Sequence, residues 1–126
     1  MKRVTGLGGV FFRANDPKAL AAWYAQHLDL PIEDGGEFAI LPWRRADTGA
    51  DASTVWATFA QDSPYFGSPN QACMLNYRVD DLDGVLAALQ SEGVEIVPDR
   101  QESADGRFAW IVDPEGNRVE LWEPPK

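Results

Sequence analysis

The stretch that decides the fold is residues 106–123, GRFAWIVDPEGNRVELWE, close to the C-terminal end of the chain. Two apolar runs, FAWIV and VELW, flank the polar segment DPEGN. Pro114 fixes φ at the first corner of a type I turn, and Gly116 can take the positive φ that closes the turn. The stretch therefore predicts a β-hairpin.

The returning strand of this hairpin carries one carboxylate, Glu120, between two aliphatic residues. A carboxylate in an apolar strand is costly unless it binds a metal ion, pairs with a cation or lies in a wet cavity. One interpretation is a general base whose pKa a partly apolar cavity raises. The other is an ion pair with one of three arginines on the same predicted face, Arg13, Arg78 or Arg118. Because three guanidinium groups would keep the carboxylate ionised, the ion pair is favoured.

The composition limits the kinds of partner and compartment. Eleven basic and 20 acidic side chains give the 126 residues a net charge of −9, which disfavours nucleic acids and anionic membranes as partners. The single cysteine excludes an internal disulfide and is typical of a reducing compartment. No apolar run approaches the roughly 20 residues of a membrane span. Since no signal-peptide pattern is present either, we expect a soluble cytoplasmic protein.

The predicted elements occur twice in the same order. In each half a strand leads to an aspartate that can cap a helix, Asp16 or Asp81, and further strands follow. A shift of 65 residues aligns these two aspartates, and a shift of 64 aligns Trp56 with Glu120. The sequence therefore predicts two βαβββ modules in one domain. They span about residues 4–60 and 72–126 of the single domain 1–126.

Alternation along the strands assigns each side chain to one of two faces. The apolar face, which includes Val55 and Ala57, is expected to lie under the helices. The other face mixes aromatic and charged side chains, as the wall of a ligand cavity does. We predict that the functional residues lie on this second face, and they are Phe11, Arg13, Trp56, Met74, Asn76, Arg78, Glu120 and Trp122.

The paired modules, the strand–Asp–helix openings at Asp16 and Asp81 and the closing DPEGNRVELWE resemble the vicinal oxygen chelate superfamily. Glyoxalase I, the extradiol dioxygenases and the fosfomycin and bleomycin resistance proteins belong to it. The resemblance covers nearly the whole chain. It implies an α+β fold in which two βαβββ modules form curved mixed sheets around an open, barrel-like cavity, with the helices outside. It also implies a homodimer.

Metal-dependent members of this superfamily hold a divalent ion with one His or Glu-type ligand from each of four strands. The positions that match are Gly9, Trp56, Met74 and Glu120. Glycine offers no donor atom, tryptophan has no lone pair to give, and the methionine thioether is a soft ligand. We therefore expect neither a metal ion nor another cofactor, and neither the glyoxalase nor the dioxygenase activity, since both need the metal.

The two tryptophans on the predicted cavity face, Trp56 and Trp122, favour the binding of a small organic molecule. Indole rings stack on planar or cationic ligands, and Phe11 would extend the same wall. The resemblance to drug-sequestering resistance proteins implies the same role. Equally, the two indoles would fill the space of the absent metal and make a solid core.

The alternatives to ligand binding belong to other classes, and the sequence leaves open whether the chain is an enzyme. One is a lyase or isomerase in which Glu120 is the acid and base, while Arg13 or Arg78 stabilises an enolate-like oxyanion. Another is a metal-dependent glyoxalase or dioxygenase, if the ligand positions are misassigned. A third is a partner-binding module with a filled barrel.

Overall fold

A computed structural model describes residues 2–126 of the chain. Its helices and strands, in chain order, are β1 (Val4–Ala14), α1 (Pro17–Leu28), β2 (Phe38–Arg44), β3 (Asp51–Ala60), β4 (Cys73–Val79), α2 (Leu82–Ser91), β5 (Glu95–Ser103), β6 (Gly106–Val112) and β7 (Arg118–Glu123). A short 3-10 helix, Pro64–Phe66, lies between β3 and β4. Parallel and antiparallel strand pairs both occur, which confirms the predicted α+β class. In the part of the chain from Lys2 onward, neither helix is long and apolar enough to cross a membrane.

The contacts divide the chain into two compact units. The central unit is Gly9–Cys73. The C-terminal unit is Met74–Lys126 together with the start of the chain up to Gly8. Strand β1 therefore contributes its first residues to the C-terminal unit and the remainder to the central unit.

In the central unit the strand order is β2-β3-β1. β1 pairs with β3 in parallel, from Gly9 opposite Val55 onward, and β2 pairs with β3 antiparallel. Helix α1 packs against β3. Its start is the predicted one, because Asp16 accepts a hydrogen bond from the Ala19 amide at 3.1 Å and a proline follows the cap. Between α1 and β2, Ile32 forms an isolated antiparallel bridge with Ala39 of β2.

In the C-terminal unit the strand order is β1-β4-β7-β6-β5. β4 and β7 are parallel, and the pairs β6–β7 and β5–β6 are antiparallel. Strand β5 has an irregular register between Ile96 and Arg100. Helix α2 covers one face of these strands, and the buried residues of that core are Val79, Leu82, Val85, Leu86, Ala109 and Leu121.

The hairpin predicted from residues 106–123 is present as β6 and β7. Gly116 has φ +84°, the left-handed conformation that the sequence requires there. The side chain of Asp113 accepts hydrogen bonds from the backbone amides of Glu115 and Asn117, both at 2.9 Å. Its hydrogen bonds, first those from Asn117, lower the pKa of the Asp113 carboxyl below its ordinary value. The turn thus holds the register that orients every side chain of β7.

Candidate ligand-binding site

The strand register places four predicted site residues of the C-terminal unit on one face. Asn76 on β4 lies opposite Glu120 on β7, and Arg78 lies opposite Trp122. Directly paired residues of parallel strands point to the same side of a sheet. The alternate residues of both strands, such as Val79 and Leu121, pack under α2 instead. The predicted faces of β4 and β7 are therefore confirmed.

The middle of this face is closed to solvent. Met74 and Glu120 are 0% exposed and Asn76 is 1% exposed. On β6, Trp110 lies opposite Glu120 and is also buried. An amide and a carboxylate at such depth cost free energy that aliphatic side chains would not. The centre of this face is therefore both polar and closed to solvent.

Asn76 packs against a glycine of β1. Its Oδ1 atom is buried and accepts no hydrogen bond from any residue between Lys2 and Lys126. A Cβ atom added to Gly8 would come within 2.2 Å of that oxygen, and within 2.9 Å of a ring carbon of Trp122. Because glycine has no side chain, the backbone of β1 can pass this close to the buried amide of Asn76.

Trp122 is held on both sides and at its nitrogen. Its ring stacks on Phe108, with ring centroids 6.1 Å apart and planes inclined by 4°. The guanidinium of Arg78 lies 5.3 Å from the centre of the indole ring. Its Nε1 atom donates a hydrogen bond to the carbonyl oxygen of Asp105 at 2.8 Å. The three contacts give the half-buried Trp122 a fixed orientation at the edge of the polar centre.

The sequence analysis missed three neighbours of the site, which are Phe108, Trp110 and Asp105. The signal was available, because an antiparallel hairpin places Phe108 opposite Trp122 and Trp110 opposite Glu120. Counting outward from the Pro114–Gly116 turn gives these pairs directly.

In the central unit, Arg13 holds the connection between β3 and β4. Its Nε donates to the carbonyl of Gln71 at 2.8 Å, and its two Nη atoms donate to three further carbonyls, those of Gln61, Ser63 and Ser68. The guanidinium also lies 4.8 Å from the centre of the Phe66 ring. The guanidinium of Arg13 therefore binds the connection between β3 and β4. The ion pair predicted for Glu120 stays a prediction for Arg78 and Arg118.

Phe11 belongs to an aromatic cluster in the same unit. Its ring centroid lies 5.6 Å from that of Phe59 and 6.5 Å from that of Tyr65. Phe66, which is 0% exposed, completes the cluster against Phe59. The 3-10 helix therefore covers Phe11, and within the central unit this residue is packed rather than open.

The predicted face of Trp56 is wrong. Val10 of β1 lies opposite Trp56, whereas Phe11 lies opposite Ala57, so Trp56 points to the same side as Val10. Its ring packs against Tyr24 of α1, with centroids 4.8 Å apart, and against Phe12 at 5.1 Å. Trp56 therefore lies under helix α1. Ala57 occupies the position beside Phe11 that the sequence analysis assigned to Trp56.

The same register corrects the set of positions that match the superfamily's metal ligands. Phe11 pairs with Ala57 in the central unit as Asn76 pairs with Glu120 in the C-terminal unit. The position equivalent to Glu120 is thus Ala57 instead of Trp56. The four positions become Gly9, Ala57, Met74 and Glu120. Glycine and alanine carry no donor and the thioether is soft, so these residues do not fit a divalent ion.

Across Lys2 to Lys126, no three His, Cys, Asp or Glu side chains lie together in a way that could hold a metal ion.

Comparison with protein families gives one match, to a family model described as a glyoxalase-like domain, over residues 9–122. No relative is found among curated protein sequences.

Solved structures similar to this chain include two methylmalonyl-CoA epimerases. The enzyme from Mycobacterium tuberculosis is 23% identical with a TM-score of 0.62, and the match covers 100% of this chain and 92% of that one. The Streptomyces coelicolor enzyme is 13% identical with a TM-score of 0.64, covering 94% and 96%. A Legionella pneumophila structure described as an NAD-dependent benzaldehyde dehydrogenase is 19% identical with a TM-score of 0.59, covering 90% and 96%. At these identities the likeness concerns the fold.

Proposed function

Because the chain belongs to the glyoxalase-like domain family, we propose that it binds a small planar or cationic organic molecule without the divalent ion of the metal-dependent members. The observation that carries the proposal is the polar centre of the C-terminal unit. Glu120 and Asn76, at 0% and 1% exposure, lie opposite each other on a face whose other neighbours are aromatic. Ligand sites combine a few buried polar groups with apolar and aromatic walls in this way.

The metal-free part of the proposal is supported by the donor set. Gly9 and Ala57 offer no ligand atom, and Met74 offers only a thioether, so Glu120 would be a single hard donor. Catalytic zinc sites use three protein ligands, and magnesium or manganese sites use several oxygens. We therefore derive no chemical step through a metal ion.

The planar or cationic nature of the ligand is supported by Trp122. One planar cation, the guanidinium of Arg78, already lies over its ring at 5.3 Å. Phe108 stacks behind the indole and holds it flat. A ligand with an amidinium or heteroaromatic cation would take the place of this guanidinium on the ring, and the net charge of −9 favours its approach.

Binding can be tested with benzamidine, a planar aromatic cation, by isothermal titration of the full chain. We expect Trp122→Ala to weaken binding about tenfold, because the stacking surface is lost. Trp43→Phe is the matched control, since Trp43 lies on β2 and donates its indole hydrogen bond to Thr54. Equal loss in both variants, or unchanged affinity in Trp122→Ala, would contradict the proposal.

A second candidate function is proton transfer by Glu120, as in a lyase or isomerase. It is favoured by the full burial of this carboxylate and by the epimerases among the similar structures. Glu120 would remove a proton next to a carbonyl, and Arg78 would stabilise the enolate-like oxyanion. Arg13 is no longer proposed for this role, since its N–H groups are donated to backbone carbonyls.

Exchange in deuterated water separates the two candidate functions. Methylmalonyl-CoA is incubated with the chain and deuterium at its α-carbon is followed by NMR. The enzyme hypothesis expects exchange that Glu120→Gln abolishes, while benzamidine binding is retained. No exchange above the rate without protein would remove this second candidate and leave ligand binding as the function.

A further inference from the structure

An open groove of about 680 Å³ runs along helix α1 in the central unit. Side chains at its walls include Arg13, Asp16, Leu20, Trp23, Tyr24 and Gln61. Its volume lies within the range of sites that take small organic molecules. Apart from Arg13, no residue of the site described above lines this groove.

One wall of the groove is a tryptophan that is exposed yet held in place. Trp23 is 52% exposed. Its ring lies 5.2 Å from Tyr24 and 4.7 Å from His27, measured between centroids. Tyr24 is fixed in turn by Trp56, 4.8 Å away. A half-exposed indole supported by two rings is a preorganised stacking surface, and it loses little entropy when a ligand covers it.

The acceptor that the groove offers to a ligand is a carboxylate oxygen of Asp16. Asp16 uses Oδ1 to accept the Ala19 amide at 3.1 Å, and its Oδ2 accepts no hydrogen bond within residues 2–126. Arg13, the positive group of the groove, donates to four backbone carbonyls and is surrounded by their oxygens. The groove therefore offers a carboxylate oxygen, and four of the five N–H groups of its guanidinium are already used.

The spacing of these groups along α1 sets the size of the ligand. Asp16 and Trp23 are seven positions apart, which is two helical turns and about 10 Å along the axis. They therefore lie on the same side of the helix. A molecule of two or three fused rings with a basic nitrogen spans that length.

We propose that this groove is a second binding site, which takes a planar aromatic cation of two or three fused rings. The rings stack on Trp23, and the basic nitrogen faces the carboxylate of Asp16. The inference stands on residues of the central unit and does not depend on the function proposed for the C-terminal unit.

The test is equilibrium dialysis of the full chain against two acridines of opposite charge. The probe 9-aminoacridine is a cation near neutral pH, and acridine-9-carboxylate is an anion with the same rings. We expect the cation to bind more tightly, and Trp23→Ala to weaken its binding about tenfold. Asp16→Asn should weaken it about threefold or more while keeping a helix cap, since asparagine also caps helices.

Two variants on the same helix serve as matched controls. Asp29→Asn removes the same charge at the other end of α1, and Leu28→Ala removes a side chain that is 62% exposed. Both should bind 9-aminoacridine as the unchanged chain does. If circular dichroism shows that Trp23→Ala is unfolded, Trp23→Leu keeps apolar bulk and removes the stacking surface.

Three outcomes would overturn the proposal. The two acridines bind equally, which removes the role of Asp16. The affinity of Trp23→Ala or Trp23→Leu is unchanged, which removes the role of the indole. Neither acridine binds while light scattering shows a dimer that Trp23→Ala dissociates, which assigns the groove to contact between two copies of the chain.

Discussion

Gly8 shows how one residue of β1 permits the polar centre of the C-terminal unit. The position that its Cβ would occupy is 2.2 Å from Oδ1 of Asn76 and 3.0 Å from Cγ of Arg78. The amide of Asn76 is 1% exposed and cannot move into solvent. The amide of Asn76 can therefore occupy its buried place because residue 8 has no side chain.

Gly8→Ala should lower the free energy of unfolding by about 1–3 kcal/mol, because the added methyl group overpacks a closed space. Urea unfolding followed by circular dichroism measures the change. In the background of Asn76→Ala the same substitution should cost less, since the nearest clashing atom is gone. Equal costs in both backgrounds would show that Asn76 is not what excludes the methyl group.

Residue-level prediction from the sequence worked where one face of a strand was clearly apolar. On β7, Val119 and Leu121 alternate with Glu120, and the predicted faces are correct. On β3 the alternation placed Val55 and Ala57 under the helix, because the other face of the segment TVWATF carries two threonines. The structure places the threonine face there instead, where the Thr58 hydroxyl donates a hydrogen bond to the Pro17 carbonyl of α1 at 3.1 Å. A shift by one residue moves every side chain to the other face, and Trp56 was misplaced for this reason.

At the scale of elements, helix α2 is anchored at its N-terminus by two carboxylates. Asp81 accepts a hydrogen bond from the Gly84 amide at 3.0 Å, as an N-cap residue does. Glu123, from the end of β7, accepts one from the Leu82 amide at 2.8 Å. The first turn of α2 is thereby tied to the last strand of its own unit.

Glu123→Ala should lower the free energy of unfolding by about 1 kcal/mol, because an amide of the first helical turn loses a charged acceptor. Glu123→Gln keeps an oxygen at that place and should cost less. Glu95→Ala is the control, since Glu95 is an exposed glutamate of the same unit. Thermal unfolding of the three variants would contradict the prediction if Glu123→Ala and Glu95→Ala were equally stable.

The elements themselves were largely predictable, and the misses have physical causes. The signals that predict the helices and the hairpin are local and need no tertiary context. They are Asp16 with Pro17, Asp81, and the Pro114–Gly116 turn. The sequence predicts the first strand over residues 8–13, but β1 begins at Val4. It predicts a short strand over residues 94–97, but β5 extends past Pro98 to Ser103. Both extensions depend on pairing with neighbouring strands, β4 and β6, which a local pattern does not contain.

At the scale of the whole molecule, several surface carboxylates are stabilised in their ionised form. Hydrogen bonds from Arg107 and then Arg100 lower the pKa of Asp83. A hydrogen bond from Arg3 lowers the pKa of Glu92. A carboxyl whose pKa is lower in the folded than in the unfolded chain stabilises the fold above its unfolded pKa. That contribution is lost as the pH falls through the folded value.

The urea midpoint should therefore decrease as the pH falls below about 4, the ordinary range of carboxyl pKa values. Asp83→Asn should show a smaller decrease over the same interval, because one of the titrating groups is gone. Since these groups are on the surface, the effect of each is small and added salt should reduce it. An identical pH dependence in the variant and in the unchanged chain would exclude a contribution from Asp83.

The homodimer that the family resemblance implies stays a prediction, which light scattering of the purified chain can check. The location in the cytoplasm also stays a prediction.

The division of β1 has a consequence for the order in which the chain folds during synthesis. The central unit, Gly9–Cys73, is continuous in sequence and is complete once Cys73 has left the ribosome. The C-terminal unit needs the residues before Gly9, made ahead of the central unit, and Met74–Lys126, made after it. The first half of β1 must therefore wait for β4 while its second half is already paired with β3. The two segments that flank the central unit in sequence meet only after both have been translated.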